Sequence, residues 1–171
     1  MQARLEEVAA ALARAGAAVR EQDSLPDEAQ LAEDQALVMA VEAVQSFEAL
    51  RPSGALSPQL TALLDRGAAA QPDEVRAAKG RAGQARTAMS RMLAELDVLL
   101  TPSARGEAPE GIASTGDPVF NRVVTMLGFP AISLPAGLGS SGLPLGVQLV
   151  GAPGGDAALL AVAAWVDSKL H

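Results

Sequence analysis

The chain has 171 residues, of which 49% are hydrophobic and 2% aromatic, and it carries a formal net charge of −7. That length suits one domain or a large piece of one, able to bury roughly 70% of its unfolded surface, while the acidic balance argues against nucleic acid, for which a basic stripe is expected. The absence of cysteine excludes disulfides and thiolate chemistry, and the single histidine is the last residue, His171, which argues against a Ser-His-Asp triad and a His-rich metal site.

With only Phe47, Phe120, Phe129 and Trp165 as aromatic residues, Ala, Leu and Val must build the core, which suits close helix–sheet packing. Residues 2–19 place Leu5, Val8 and Leu12 on one helical face, with Gly16 as the stop. "AAVREQ" (17–22) then reads as a short strand. "SLPDEAQ" (24–30) is a loop turning into a second helix with Val38, Val41, Val44 and Phe47 on one side. Ser57-Pro58 opens a third helix as N-cap and first residue, closed by Gly67. A fourth, long helix begins at Pro72-Asp73-Glu74 and carries Val75, Ala82, Met89, Leu93 and Leu96.

The texture changes at "DVLLTP" (97–102), a compact apolar run ended by proline, as expected of a buried strand. A Gly/Pro-rich loop follows over 103–116, and Asp117-Pro118 reads as the cap and first turn of a short helix ended by Gly128. "AISLPA" and "PLGVQLV" read as strands joined by "GLGSSGL", a hairpin in which Gly139 and Gly142 supply the positive φ of a tight turn. Asp156 caps a final helix whose apolar face holds Leu159, Leu160, Val162, Val166 and Leu170. The expected organisation is a single partial domain over 1–171, with a mostly helical section 1–96 and a strand–helix–hairpin–helix section 97–171. The longest apolar run, 157–166, is too short to span a bilayer and no signal-peptide pattern is evident, so a cytoplasmic, membrane-independent chain is expected.

Several residues admit a functional and a bland reading. Thr101-Pro102 ends a buried strand, where ligands gather in α/β folds, or the proline simply ends it. Asn121 and Arg122 form a pocket wall, or the asparagine braces the adjacent loop and the arginine is solvated. Gln148 alternates with Val147 and Leu149, and a structural hydrogen bond to a neighbouring loop is favoured over substrate contact. Asp27, Glu28, Glu33 and Asp34 mimic a metal site, but without histidine or tight spacing they read as a solvated helix start. Arg76, Arg81, Arg86 and Arg91 are spread around their helix. A nucleophilic Ser140 or Ser141 would need an oriented base, and neither Lys79 nor Lys169 has an evident buried setting; the serines read as a turn.

"DVLLTPS", "TGDPVFNRVVTMLGFPAISLPAG", "GLPLGVQLVG" and "GDAALLAVAAWV", in that order, closely resemble the C-terminal end of amidase-signature hydrolases. The resemblance covers 97–170 well and 1–96 more loosely. Val124 stands where an aromatic residue is frequent and Ser103 where threonine is frequent, which bears on pocket shape more than on fold. The resemblance implies an α/β fold, here the C-terminal part of a mixed sheet with flanking helices and a mostly helical N-terminal part. It implies hydrolysis of a carboxylic amide through an acyl-enzyme, by a lysine, a bridging serine and a nucleophilic serine that precede the segment seen here. None of those three is carried onto a residue of this sequence, so the expectation is no catalytic residue within the chain, with Thr101, Pro102, Asn121 and Arg122 as substrate-pocket candidates. No metal or organic cofactor is implied, since activation comes from a lysine–serine relay and oxyanion-stabilising amides. The implied partners are a small amide substrate once the missing half is supplied, and an N-terminal partner chain or a second copy of this chain. Three readings follow: the C-terminal portion of an amidase, a non-catalytic binding or assembly module on the same fold, and, remotely, a self-contained hydrolase using Ser140 or Ser141.

Overall fold

The computed structural model describes residues 1–22 and 27–170; Ser24, Leu25 and Pro26 of the expected interhelical loop, and His171, lie outside the described residues. The chain forms two compact units, one from residues 1–24 and 87–171, the other from 25–86.

The first unit contains helix α1 (Gln2–Arg14), strands β1 (Leu99–Pro102), β2 (Ala131–Leu138) and β3 (Pro144–Val150), and helices α5 (Val119–Leu127) and α6 (Asp156–Leu170). The sheet has the order β1-β3-β2 and both pairings are antiparallel. Alternation along β3 sorts the side chains by face. Val147 and Leu149 pack with Val8 and Leu12 of α1 and with Leu159, Ala163 and Val166 of α6, and Leu100, Ile132 and Leu134 join them from the neighbouring strands. Gly16, with φ +102°, follows α1 and donates its N–H to the Ala13 carbonyl, which only a residue tolerant of positive φ does without strain.

The second unit contains α2 (Glu28–Phe47), a 3-10 turn (Glu48–Ser53), α3 (Pro58–Ala69) and the first part of α4 (Pro72–Leu93). Ser57 caps α3 as its spacing predicts, accepting the Leu60 N–H at 3.2 Å. Gly67 does not close that helix. It is buried inside it, and a Cβ there would stand 2.1 Å from the Ala40 carbonyl oxygen of α2, so the glycine is required by backbone contact between helices.

Other expectations are corrected. Residues 17–22 form no strand: they lack a neighbouring strand to complete a ladder, Val19 is exposed, and Arg20 pairs with Glu95 at 3.2 Å. The buried face of α2 runs through Leu31, Asp34, Ala40 and Ala43, while Phe47 is exposed, because small residues admit the close approach of α3. On α6 Leu160 is exposed and Ala163 takes its place in the core. Asp117 does not cap α5; its carboxylate is held by arginines instead. Positive φ at the hairpin falls on Gly137 and Gly142, not Gly139.

Candidate functional site

The face of the sheet opposite the core carries a polar row. Thr101 of β1, Gln148 of β3 and Ser133 of β2 are register partners across the three strands, so their side chains share one face. Gln148 is buried and donates through Nε2 to Thr101 Oγ1 at 3.4 Å, so its partner lies on the adjacent strand and not in a loop. One step along, Ser103 donates its N–H to the Gly146 carbonyl, extending the ladder past β1, and its hydroxyl meets that of Ser133 at 3.1 Å. Gly146 makes room for this, since a Cβ there would stand 3.0 Å from Ser103 Oγ.

Helix α5 reaches this end of the row through one side chain. Asn121 Nδ2 donates to the Ser103 carbonyl at 3.4 Å. Asp117 accepts from Arg105 Nε at 2.8 Å and lies 3.5 Å from Arg122 Nη2. Thus two of the four pocket candidates, Thr101 and Asn121, lie beside Ser103, while Arg122 is paired with Asp117. Pro102 pairs with Val147 in the ladder and belongs to the other face. Linear sequence does not mark Ser133 and Ser103 as a pair; strand alternation points to each one, but only the register brings their hydroxyls together.

The loop after β1 is anchored by Glu107. Its carboxylate accepts the N–H groups of Ser141 at 2.9 and 3.2 Å and of Leu143 at 2.9 Å. The Leu143 amide foremost, then the Ser141 hydroxyl and amide, hold its pKa below the ordinary glutamate value against the opposing cost of desolvation. A Cβ on Gly139 would overlap this carboxylate where it now stands. Ser140 and Ser141 therefore cap a hairpin tip gripped by an acid. Lys169 lies on α6 with its ammonium 5.9 Å from the Trp165 ring centre, so its contact is a cation–π one with that ring and not one with a hairpin hydroxyl.

The acidic group near the start of α2 is not uniformly solvated. Asp34 is 2% exposed and accepts from Arg81 Nε and Nη2, both at 2.7 Å, and from Gln30 at 3.0 Å. The Arg81 bonds, ahead of the opposing cost of burial, hold its pKa below the ordinary aspartate value. Among the described residues no group of three or more His, Cys, Asp or Glu side chains is placed to hold a metal ion, and no helix is long and apolar enough to cross a membrane.

Comparison with known proteins gives these features a context. A family model described as Amidase matches residues 1–160. A component of the mitochondrial glutamyl-tRNA(Gln) amidotransferase of Mus musculus is 38% identical over 85 residues, 44% of this chain and 16% of that protein. A solved amidase superposes with a TM-score of 0.88 at 26% identity, over 99% of this chain and 42% of its own. A 6-aminohexanoate cyclic dimer hydrolase, solved with substrate, shares the fold at 23% identity and a TM-score of 0.75, over 98% of this chain and 41% of its own. The chain thus spans well under half the length of these proteins.

Proposed function

This chain belongs to the amidase family, and from that premise we propose that it is the C-terminal portion of an amidase that hydrolyses carboxylic amide C–N bonds through a serine acyl-enzyme. In this reading the lysine and both serines of the relay come from a part of the fold outside this chain. A serine oxygen attacks the amide carbon, the C–N bond breaks, and the amine leaves with a proton. Water then opens the ester, releasing the acid and restoring the serine. The observation that carries the reading is the agreement of nearly the whole chain with a solved amidase.

The role of this portion is to supply strands, packing and one wall of the substrate pocket. Thr101, Asn121 and Arg122 line that wall, with Pro102 ending the strand that presents Thr101 and Ser103. The polar row supports this, because a carboxamide needs both donors and acceptors, and hydroxyl and amide side chains offer both. The hairpin serines are left out, since the nearby Glu107 carboxylate is engaged by the backbone N–H groups of that hairpin.

Treating the folded chain with a fluorophosphonate and measuring intact mass is the first test. No adduct is expected; an adduct mapped to Ser140 or Ser141 would overturn the reading in favour of a self-contained hydrolase. A fusion placing this chain where the solved amidase carries its matching portion is the second. That fusion is expected to hydrolyse amides, with Asn121→Ala raising KM. A folded fusion that binds amides without hydrolysing them would mark the chain as a non-catalytic binding module.

A further inference from the structure

We propose that the outer edge of β2 pairs with the same edge of a second copy of this chain, antiparallel and centred on Ser133, so that two three-stranded sheets join into one. The inference stands on the sheet and goes beyond the amidase reading, which it does not require.

β2 lies at one end of the order β1-β3-β2, and among the described residues no strand pairs with its outer side. Gly151 donates its N–H to the Pro130 carbonyl, and the antiparallel ladder alternates from that pair. Ile132 and Leu134 therefore bond to β3, while Ala131, Ser133 and Pro135 turn their backbone groups outward. Ala131 and Ser133 each offer an N–H and a carbonyl there; Pro135 offers a carbonyl alone. All three residues are exposed. The opposite edge of the sheet is poorer. Ser103 donates its N–H to the Gly146 carbonyl, so by the same alternation β1 turns outward only Leu100 and Pro102.

Edge strands that stay single are commonly guarded by charged side chains. No Asp, Glu, Lys or Arg stands from Val123 to Gly155, in a chain with 20 acidic and 13 basic residues, so two copies bring no like charges together on this strand. Pro135 does not block the pairing. With the dyad at Ser133, the Ser133 groups exchange bonds with their own copies, and each Ala131 N–H meets the Pro135 carbonyl of the other chain. No outward N–H is left over. On the core side Ile132 and Leu134, each only partly buried, stand opposite one another across the dyad. A dyad at Ile132 sets Leu134 opposite Pro130 instead, outside the strand. On the other side the row of Thr101, Gln148 and Ser133 continues into its copy, polar against polar.

Sedimentation equilibrium of the full chain is expected to show monomer and dimer exchanging at about 100 µM, because so short an edge covers less than the roughly 1,000 Å² of a stable interface. In hydrogen–deuterium exchange the Ala131 and Ser133 amides should be open in dilute solution and protected in the dimer, with Ile132 and Leu134 protected in both. Ser133→Lys and Ser133→Glu each place like charges across the dyad and are expected to weaken association by about tenfold, while an equal mixture of the two recovers it. Residue 133 is exposed, so both variants should melt as the parent does; if either fails to fold, the exchange pattern of the unaltered chain decides. A chain still monomeric at about 1 mM would overturn the proposal and leave this edge to a strand of another protein, the rest of an amidase fold included. A dimer that leaves Ala131 and Ser133 unprotected, or folded variants whose mixture does not recover association, would overturn it as well.

Discussion

Two glycines show how far the meaning of a residue depends on its surroundings. Gly67 and Gly80 both lie inside helices of the second unit, yet a Cβ at 67 meets the Ala40 backbone while a Cβ at 80 meets nothing within 4 Å. Gly67→Ala is expected to cost about 3 kcal/mol, as overpacking against a backbone that cannot yield. Gly80→Ala is expected to gain about 0.5–1 kcal/mol from helix propensity alone. Urea midpoints of the two variants check both signs, and equal shifts would refute the packing argument. Asp34 makes the same point for charge. Spacing marks it as one acid among four near a helix start, but Arg81, 47 positions later, makes it the buried partner of a bidentate pair. Asp34→Asn keeps the shape and Gln30 contact while removing the charge, and is expected to cost about 1–3 kcal/mol in chemical denaturation; a loss within error would mean that the pair merely offsets its own desolvation.

At the scale of elements, the strands and helices with strong local signals stand where their patterns put them. Proline ends β1, Gly128 with φ +68° ends α5, Ser57 caps α3, and the β2–β3 hairpin turns at its glycines. The segment 17–22 fails as a strand because extended sequence preference does not form a ladder without a neighbour. The hairpin tip depends on Glu107, which no local pattern connects to residues 34 and 36 positions away. Glu107→Gln removes the charge from this grip, so amide exchange at Ser141 and Leu143 is expected to accelerate while the amides of β3 stay protected. Uniform acceleration across the hairpin would refute a local clamp.

For the molecule as a whole, Asp34 and Glu107 are, among the described residues, the carboxylates held below the ordinary value, and they contribute to the response to acid. Asp34 and Glu107 each bind a proton more readily once unfolded, so stability attributable to them is fully present above the ordinary carboxylate range and is lost as pH falls through it toward their lowered values. Unfolding in that window is expected to take up protons, up to one from each group, and the Asp34→Asn, Glu107→Gln double variant should flatten the slope of stability against pH. An unaltered slope would assign acid sensitivity to other groups. The chain also passes through zero net charge near its pI of about 4.7, so these measurements need dilute protein to avoid association. Periodicity and turn residues were enough to place nearly every element of 97–170, because helix caps, strand alternation and turn residues are local and act through near neighbours; the fold class and the family came with the resemblance carried by the order of four motifs. Tertiary structure alone decided the Ser103–Ser133 hydroxyl pair, the burial of Asp34, the backbone contact at Gly67 and the shared carboxylate of Arg105 and Arg122. Each of those joins residues from different elements or loops, well separated along the chain, and nothing in a linear pattern encodes which distant groups a fold brings within hydrogen-bonding reach.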